Sequence, residues 1–167
     1  ILFGESPYPR KQSANGYAFW DADVDKLWSE TGLSKQVNRA TSLRNWIKQL
    51  LITEGLLTLK DTSQQAIASI DKSALIQTLD ELFHNLLNHG FLLLNISLVL
   101  QARPAAQEAK IWLPFMRSIL TQLQIYQDEI QLILLGKIAE QIDQMPEATK
   151  FQKIRAEHPY NVSFIQN

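Results

Sequence analysis

A glutamate, a serine and a tyrosine stand close together in Gly4-Glu5-Ser6-Pro7-Tyr8-Pro9-Arg10, and Asn95, Gly136 and His158 each follow a later apolar run. Carboxylate and imidazole groups take up and release protons, and a carboxamide offers a donor beside an acceptor. Taken singly, Asn95 would serve as a turn cap, His158 as a surface histidine and Pro7-Tyr8-Pro9 as a stiffened loop. As a set they all fall at the ends of predicted strands, where loops carry function. Other chemistries lose their essential parts. A hydrolase built on Ser6 would need glycine on both sides of its nucleophile elbow, and Pro7 contradicts that arrangement. Neither a Walker-type loop nor a Gly-x-Gly-x-x-Gly is present, so nucleotide hydrolysis and dinucleotide oxidoreduction have no phosphate cradle. His84 and His89 stand one residue more than a helical turn apart, off the paired-ligand spacing and without a carboxylate pattern, so no metal is expected.

The elements that must position these residues follow from periodicity. Ile1-Leu2-Phe3 reads as the end of a strand, and two prolines then turn the chain. Since a strand is already under way at Ile1, further chain is expected before it. Helical spacing of Val24, Leu27 and Trp28, and then of Leu43, Trp46, Ile47, Leu50 and Leu51, predicts two helices punctuated by Gly32 and Gly55. Residues 60–71 are polar and read as a loop. Ser73 is expected to cap a helix carrying Leu75, Ile76, Leu79, Leu82, Phe83, Leu86 and Leu87, ended by Gly90. The apolar run over 90–100 reads as a strand buried on both faces with Asn95 at or near its C-terminal end. A helix over 112–126, a strand over 130–136, a helix over 137–144 and a short strand over 153–156 complete the pattern. Trp20, Trp28, Trp46 and Trp112 are expected in or beside the core.

Strands alternating with helices imply right-handed crossovers. The expected fold is α/β, a three-layer sandwich with a central, mostly parallel four-stranded sheet and helices on both faces. A single domain over 1–167 is expected. In such sheets ligands bind at the carboxyl ends of the strands, where the six polar positions gather.

Composition narrows the partners. The net charge of -1 gives no general basic field, so any nucleic-acid contact must be local. The absence of cysteine removes disulfides, thiolate zinc sites and cysteine-ligated iron–sulfur clusters. The longest apolar run is about half a membrane span. Arg103, in the loop after Asn95, is a phosphate candidate. Asn38, Arg39, Ser42, Arg44 and Asn45 fit either a phosphate contact or a solvated helix face.

The ordered set resembles the uracil-DNA glycosylases. Their Gly-Gln-Asp-Pro-Tyr-His and Gln-Ala-His-Gly-Leu-Ala-Phe segments are matched without a gap by Gly4-Glu5-Ser6-Pro7-Tyr8-Pro9 and Ser13-Ala14-Asn15-Gly16-Tyr17-Ala18-Phe19. Their Leu-Leu-Leu-Asn strand end is similar to Leu92-Leu93-Leu94-Asn95, followed by Leu98, Ala102 and Ala105. Leu134-Leu135-Gly136 resembles their strand ending in Trp-Gly, and His158-Pro159-Tyr160-Asn161 their His-Pro-Ser-Pro.

The resemblance implies that Phe19 stacks on an extruded base, Asn95 reads its amide edge, Tyr8 excludes a methyl at C5 and His158 donates toward O2. It also implies that Val162 wedges into the duplex and that Ser163 contacts a phosphate. The family's aspartate falls at Ser6, which cannot supply a negative charge. Related branches carry Gly-Glu-X-Pro here, so Glu5 is the expected replacement carboxylate. Pro9, Tyr17 and Tyr160-Asn161 are further departures. The implied activity is removal of uracil or a modified pyrimidine from DNA by base flipping, by a cytoplasmic monomer with no cofactor and no iron–sulfur cluster. The alternative is a catalytically silent domain of the same fold that binds DNA or a protein.

Overall fold

The computed structural model describes residues 1–137 and 139–165. Its centre is a four-stranded sheet of β1 (Leu2–Gly4), β4 (Leu93–Asn95), β5 (Gln131–Leu135) and β6 (Gln152–Ala156), in the order β4-β1-β5-β6. All three pairings are parallel, so every strand ends on the same edge. The register sets Gly4 opposite Asn95 and Leu135 opposite Ala156, which brings the predicted site positions to that edge.

Alternation along the strands divides two cores. Leu2, Leu93 and Leu135 face one side and pack with Leu43, Ile47 and Leu51 of α2 (Thr41–Thr53) and with Leu79 and Phe83 of α4 (Leu79–Asn88). Phe3, Leu132 and Leu134 face the other, against Met116 and Leu120 of α5 (Ala105–Leu123) and Ile142 of α6 (Glu140–Asp143). The helices therefore cover both faces, as the alternating pattern requires. Trp20 is buried and stacks on Phe83 at 5.3 Å, while Trp28 and Trp46 pack at the margin of the same core.

Several element predictions are corrected. The helix predicted through Val24, Leu27 and Trp28 is instead loop and a short hairpin, β2 (Trp28–Ser29) with β3 (Gly32–Leu33). Here a backbone amide that a helix would satisfy internally, and an indole N–H beside it, find partners across the chain. Leu27 N donates to Gln77 O at 2.9 Å, and the Trp28 indole donates to Ile76 O at 2.7 Å. Helix α1 (Lys35–Arg39) follows, capped by Ser34. The polar segment 60–71 contains α3 (Gln64–Ala68), whose Ser63 hydroxyl accepts from Ala66 N.

Helix α4 starts after Thr78 rather than Ser73, because Thr78 and Glu81 satisfy each other's backbone amides in a capping box. The Ser73 amide is instead tied to Asp71. The run over 90–100 forms only three residues of strand, since β1 offers only three partners; beyond Asn95 the chain bends, with Ile96 N bonded to Gly4 O. Helix α5 begins at Ala105 rather than 112. Ile138, inside the helix predicted over 137–144, lies outside the described residues.

Candidate active site

Glu5, Ser6, Tyr8, Phe19, Asn95 and His158 line one cavity of about 190 Å³ at the carboxyl edge of the sheet, closed by Gly4, Pro7, Pro9 and Ser42. That is below the roughly 300 Å³ at which pockets for drug-sized ligands begin, and it suits one small ring.

Two glycines make the close approach possible. A Cβ on Gly4 would sit 2.7 Å from Asn95 Oδ1 and 2.8 Å from Ala18 Cβ, so only a bare backbone lets the amide lie against the end of β1. At Gly136, φ is +84° and a Cβ would lie 2.7 Å from that of His158. The chain turns there and leaves its space to the imidazole.

Phe19 is held in the left-handed region, φ 64°, a conformation that costs an aromatic residue about 1–3 kcal/mol. Its carbonyl accepts from the Tyr8 hydroxyl at 3.1 Å, its neighbour Ala18 donates to Leu93 O at 3.3 Å, and its ring meets Trp46 edge-on at 5.5 Å. The strain is compensated by this packing, and the ring is presented to the cavity in one orientation. Burial, reinforced by the charge of Asp21 and opposed by Arg10, pushes the Tyr8 phenol up to about 12, so it stays a neutral wall. Arg10 pins this loop by pairing with the buried Asp21 at 3.0 Å and with Asp23 at 3.2 Å.

Asn95 is 4% exposed and its amide makes no hydrogen bond to another described residue. Its donor and acceptor are not among the fully buried unpartnered atoms of the described residues; they open onto the cavity, where a ligand can pair with both. His158 sits 6.0 Å from Phe19 between ring centres, and its Nδ1 accepts from the Tyr160 amide at 3.1 Å. The proton of the neutral ring is therefore on Nε2, which makes that nitrogen a donor. Burial holds the imidazole below its ordinary value, and the carboxylate of Glu5 partly opposes this by favouring the cation.

The remaining candidates lie outside the cavity lining. Arg103 is 3.8 Å from the buried carboxylate of Glu108. Val162 is 67% exposed, in the short 3-10 turn Val162–Ile165. The Ser163 hydroxyl donates to Glu157, which also accepts from the Asn161 amide at 3.3 Å. Of the polar stretch 38–45, Ser42 reaches the cavity wall, Arg39 is exposed, and Arg44 donates to Asn38 O at 2.9 Å. Among the described residues no group of three His, Asp or Glu side chains is gathered to hold a metal.

Asn45 departs from the expectation of a surface or phosphate-facing residue. It is 3% exposed, and its Nδ2 donates to Pro159 O at 2.7 Å and Asn161 O at 3.4 Å. It thereby fastens the loop of His158 to α2. Its position two residues from both Leu43 and Ile47 falls off the helical core pattern, which is why spacing does not reveal it. Asn45→Ala is expected to lower kcat about tenfold, the rate equivalent of losing one such bond, with KM near wild type. Steady-state kinetics beside the core variant Leu51→Ala checks this: a loss of stability in both with kcat unchanged would assign Asn45 to the fold alone.

No protein-family model and no curated protein matches the chain. Solved structures do match. The wild-type UNG crystal structure from Nitratifractor salsuginis superposes with a TM-score of 0.92 at 42% identity, over 100% of this chain and 67% of that one. A point mutant of the same UNG gives the same TM-score and identity over 100% and 68%.

Proposed function

The chain belongs to the uracil-DNA glycosylase superfamily, and we propose that it hydrolyses the bond between a flipped-out uracil and its deoxyribose in DNA, as a step of base excision repair. The observation that carries this reading is the convergence of Phe19, Asn95, His158 and Glu5 on one cavity sized for a single small ring. An enzyme acting on a base must first take it from the stack, and the cavity has the parts to receive one.

In the proposed reaction, Phe19 stacks on the base face and Asn95 pairs its free donor and acceptor with the uracil amide edge. Tyr8 stands against C5, where thymine would carry a methyl. As the C1′–N1 bond breaks, its electron pair passes into the ring and toward O2, and the Nε2–H of His158 donates to the developing anion. Glu5 offsets the positive charge growing on the sugar and accepts a proton from the water whose oxygen joins C1′. Ser6, neutral, helps hold that water. The uracil anion leaves and is protonated from solvent. Outside the cavity, Arg103, Val162 and Ser163 are proposed to meet the DNA flanking the flipped nucleotide. Ser163 would have to exchange its bond to Glu157 for a phosphate. No helix among the described residues is long and apolar enough to cross a membrane, and a cytoplasmic monomer working without a cofactor or iron–sulfur cluster completes the reading.

Base release from labelled oligonucleotides tests it. The wild-type protein is expected to free uracil and leave thymine in place. DNA binding without release of uracil or of any modified pyrimidine would replace the enzyme by a silent binding domain.

A further inference from the structure

Tyr160 is an aromatic residue left 65% exposed two positions beyond His158. Its backbone is fixed on every side. Its own amide donates to His158 Nδ1 at 3.1 Å, Asn161 N donates to His158 O at 2.9 Å, and the carbonyls of Pro159 and Asn161 both accept from the buried Asn45. Asn161 and Ser163 are tied in turn to Glu157. The side chain is another matter: its ring is in no aromatic pair among the described residues, and the residue as a whole is exposed. A clamped backbone presenting an unpartnered ring loses little conformational freedom when that ring finds a flat apolar face.

The geometry points to Tyr160 as the stacking wedge of this protein, the side chain that occupies the base stack beside the vacated position once the target nucleotide has turned into the cavity. This rests on the proposed base-flipping reading. Flipping leaves two bases without a neighbour, and every base has a face on which an aromatic ring can lie. Val162, exposed to a similar degree at 67%, offers only a short branched group and covers much less of a base. Tyr160 also comes directly from the loop that holds His158, so seating the ring in the stack and aiming Nε2 into the cavity are one rigid placement. The need for such a wedge exists only where there is a stack to replace. Tyr160 therefore matters for duplex DNA and little for a single strand.

The test compares uracil release by wild type, Tyr160→Ala, Tyr160→Phe and Val162→Ala from one labelled oligonucleotide, single-stranded and annealed to its complement. Tyr160→Ala is expected to lose about ten- to a hundredfold in kcat/KM on the duplex, the scale of one base–aromatic stack. On the single strand its loss is expected to stay within about threefold, and Tyr160→Phe is expected to retain duplex activity. Equal losses on both substrates would overturn the wedge and leave Tyr160 a support for His158. So would a Val162→Ala defect on the duplex larger than that of Tyr160→Ala. A second arm measures binding to a duplex with an abasic site, which requires no base release. Weaker binding by Tyr160→Ala there, with no uracil released by wild type, would keep the wedge and refute the glycosylase reading. Equal binding by both proteins would overturn the wedge whatever the release.

Discussion

Glu5→Gln is expected to slow uracil release about 10²- to 10⁴-fold, the range over which a positioned proton acceptor acts, while leaving the affinity for DNA near wild type. The substitution keeps the size and hydrogen-bonding reach of the side chain and removes only its charge. Ser6, a neutral hydroxyl beside it, has no charge to replace it. A second effect separates this carboxylate from a bystander. Glu5 favours the cationic form of His158, so without it the imidazole pKa falls further below its ordinary value. The acid limb of the rate profile should therefore move to lower pH in Glu5→Gln, even as the plateau drops. An unchanged plateau would remove Glu5 from the chemistry. A lowered plateau with an unmoved acid limb would show that the two groups do not sense each other in the bound complex.

His158→Ala is expected to cost about 10²- to 10³-fold in kcat, with KM changed little, as when one donor aimed at a developing anion is lost. The interaction exists only as charge reaches O2, so binding of the unreacted base does not depend on it. The sign of the pH effect follows from the tautomer. Neutral His158 keeps its proton on Nε2 because Nδ1 accepts the Tyr160 amide at 3.1 Å; protonating Nδ1 would set one N–H against another and release the loop. Because burial lowers the folded-state pKa, the neutral form persists down to and below the ordinary imidazole value. The contribution of His158 to the rate is therefore full above that value and is lost as pH falls through the depressed one. The same linkage makes the histidine's contribution to stability complete above the ordinary value and lost over the same descent. Rate measurements between roughly pH 4.5 and 8 check this, a span that brackets the ordinary imidazole value. An acid limb at or above that value would contradict the tautomer, and an acid limb persisting in His158→Ala would assign it to another group.

The parts of this molecule that were legible in sequence are those set by local chemistry. Leu132 to Leu135 ending at Gly136, and Leu93 to Asn95 following the Gly90 stop, could be read because apolar runs bounded by glycine or asparagine have few other structures open to them. From those strand ends the positions of Glu5, Tyr8, Asn95 and His158 followed, since a parallel sheet gathers its carboxyl ends on one edge. Phe19 entered through family resemblance instead. Its left-handed backbone and its bond from Tyr8 are tertiary facts, and no spacing announces them.

The illegible parts depend on which partner a group finds, some of them distant in sequence and some a few residues away. Trp28 and Leu27 carry a helical spacing, yet their groups bond to Ile76 and Gln77, some fifty residues on, and the segment becomes a hairpin. Ser73 and Thr78 are both good caps, and Glu81 decides between them by reaching back to the Thr78 amide. Asn45 looks like part of a polar helix start and is instead the buried clasp of the His158 loop, because its partners are the carbonyls of Pro159 and Asn161. Arg103 and Ser163, proposed to contact phosphates, each lie beside a carboxylate in the free protein, Glu108 or Glu157, which sequence reading does not pair with them.

The most direct measurement is single-turnover release of labelled uracil from a single-stranded oligonucleotide by wild type and Asn95→Ala. A single strand separates reading of the base from opening of a duplex. Release by wild type that Asn95→Ala reduces to the background of the oligonucleotide alone is the predicted result. Release that survives Asn95→Ala, or its absence in wild type despite binding of the strand, would contradict the assignment of this cavity as the place where the base is read and removed.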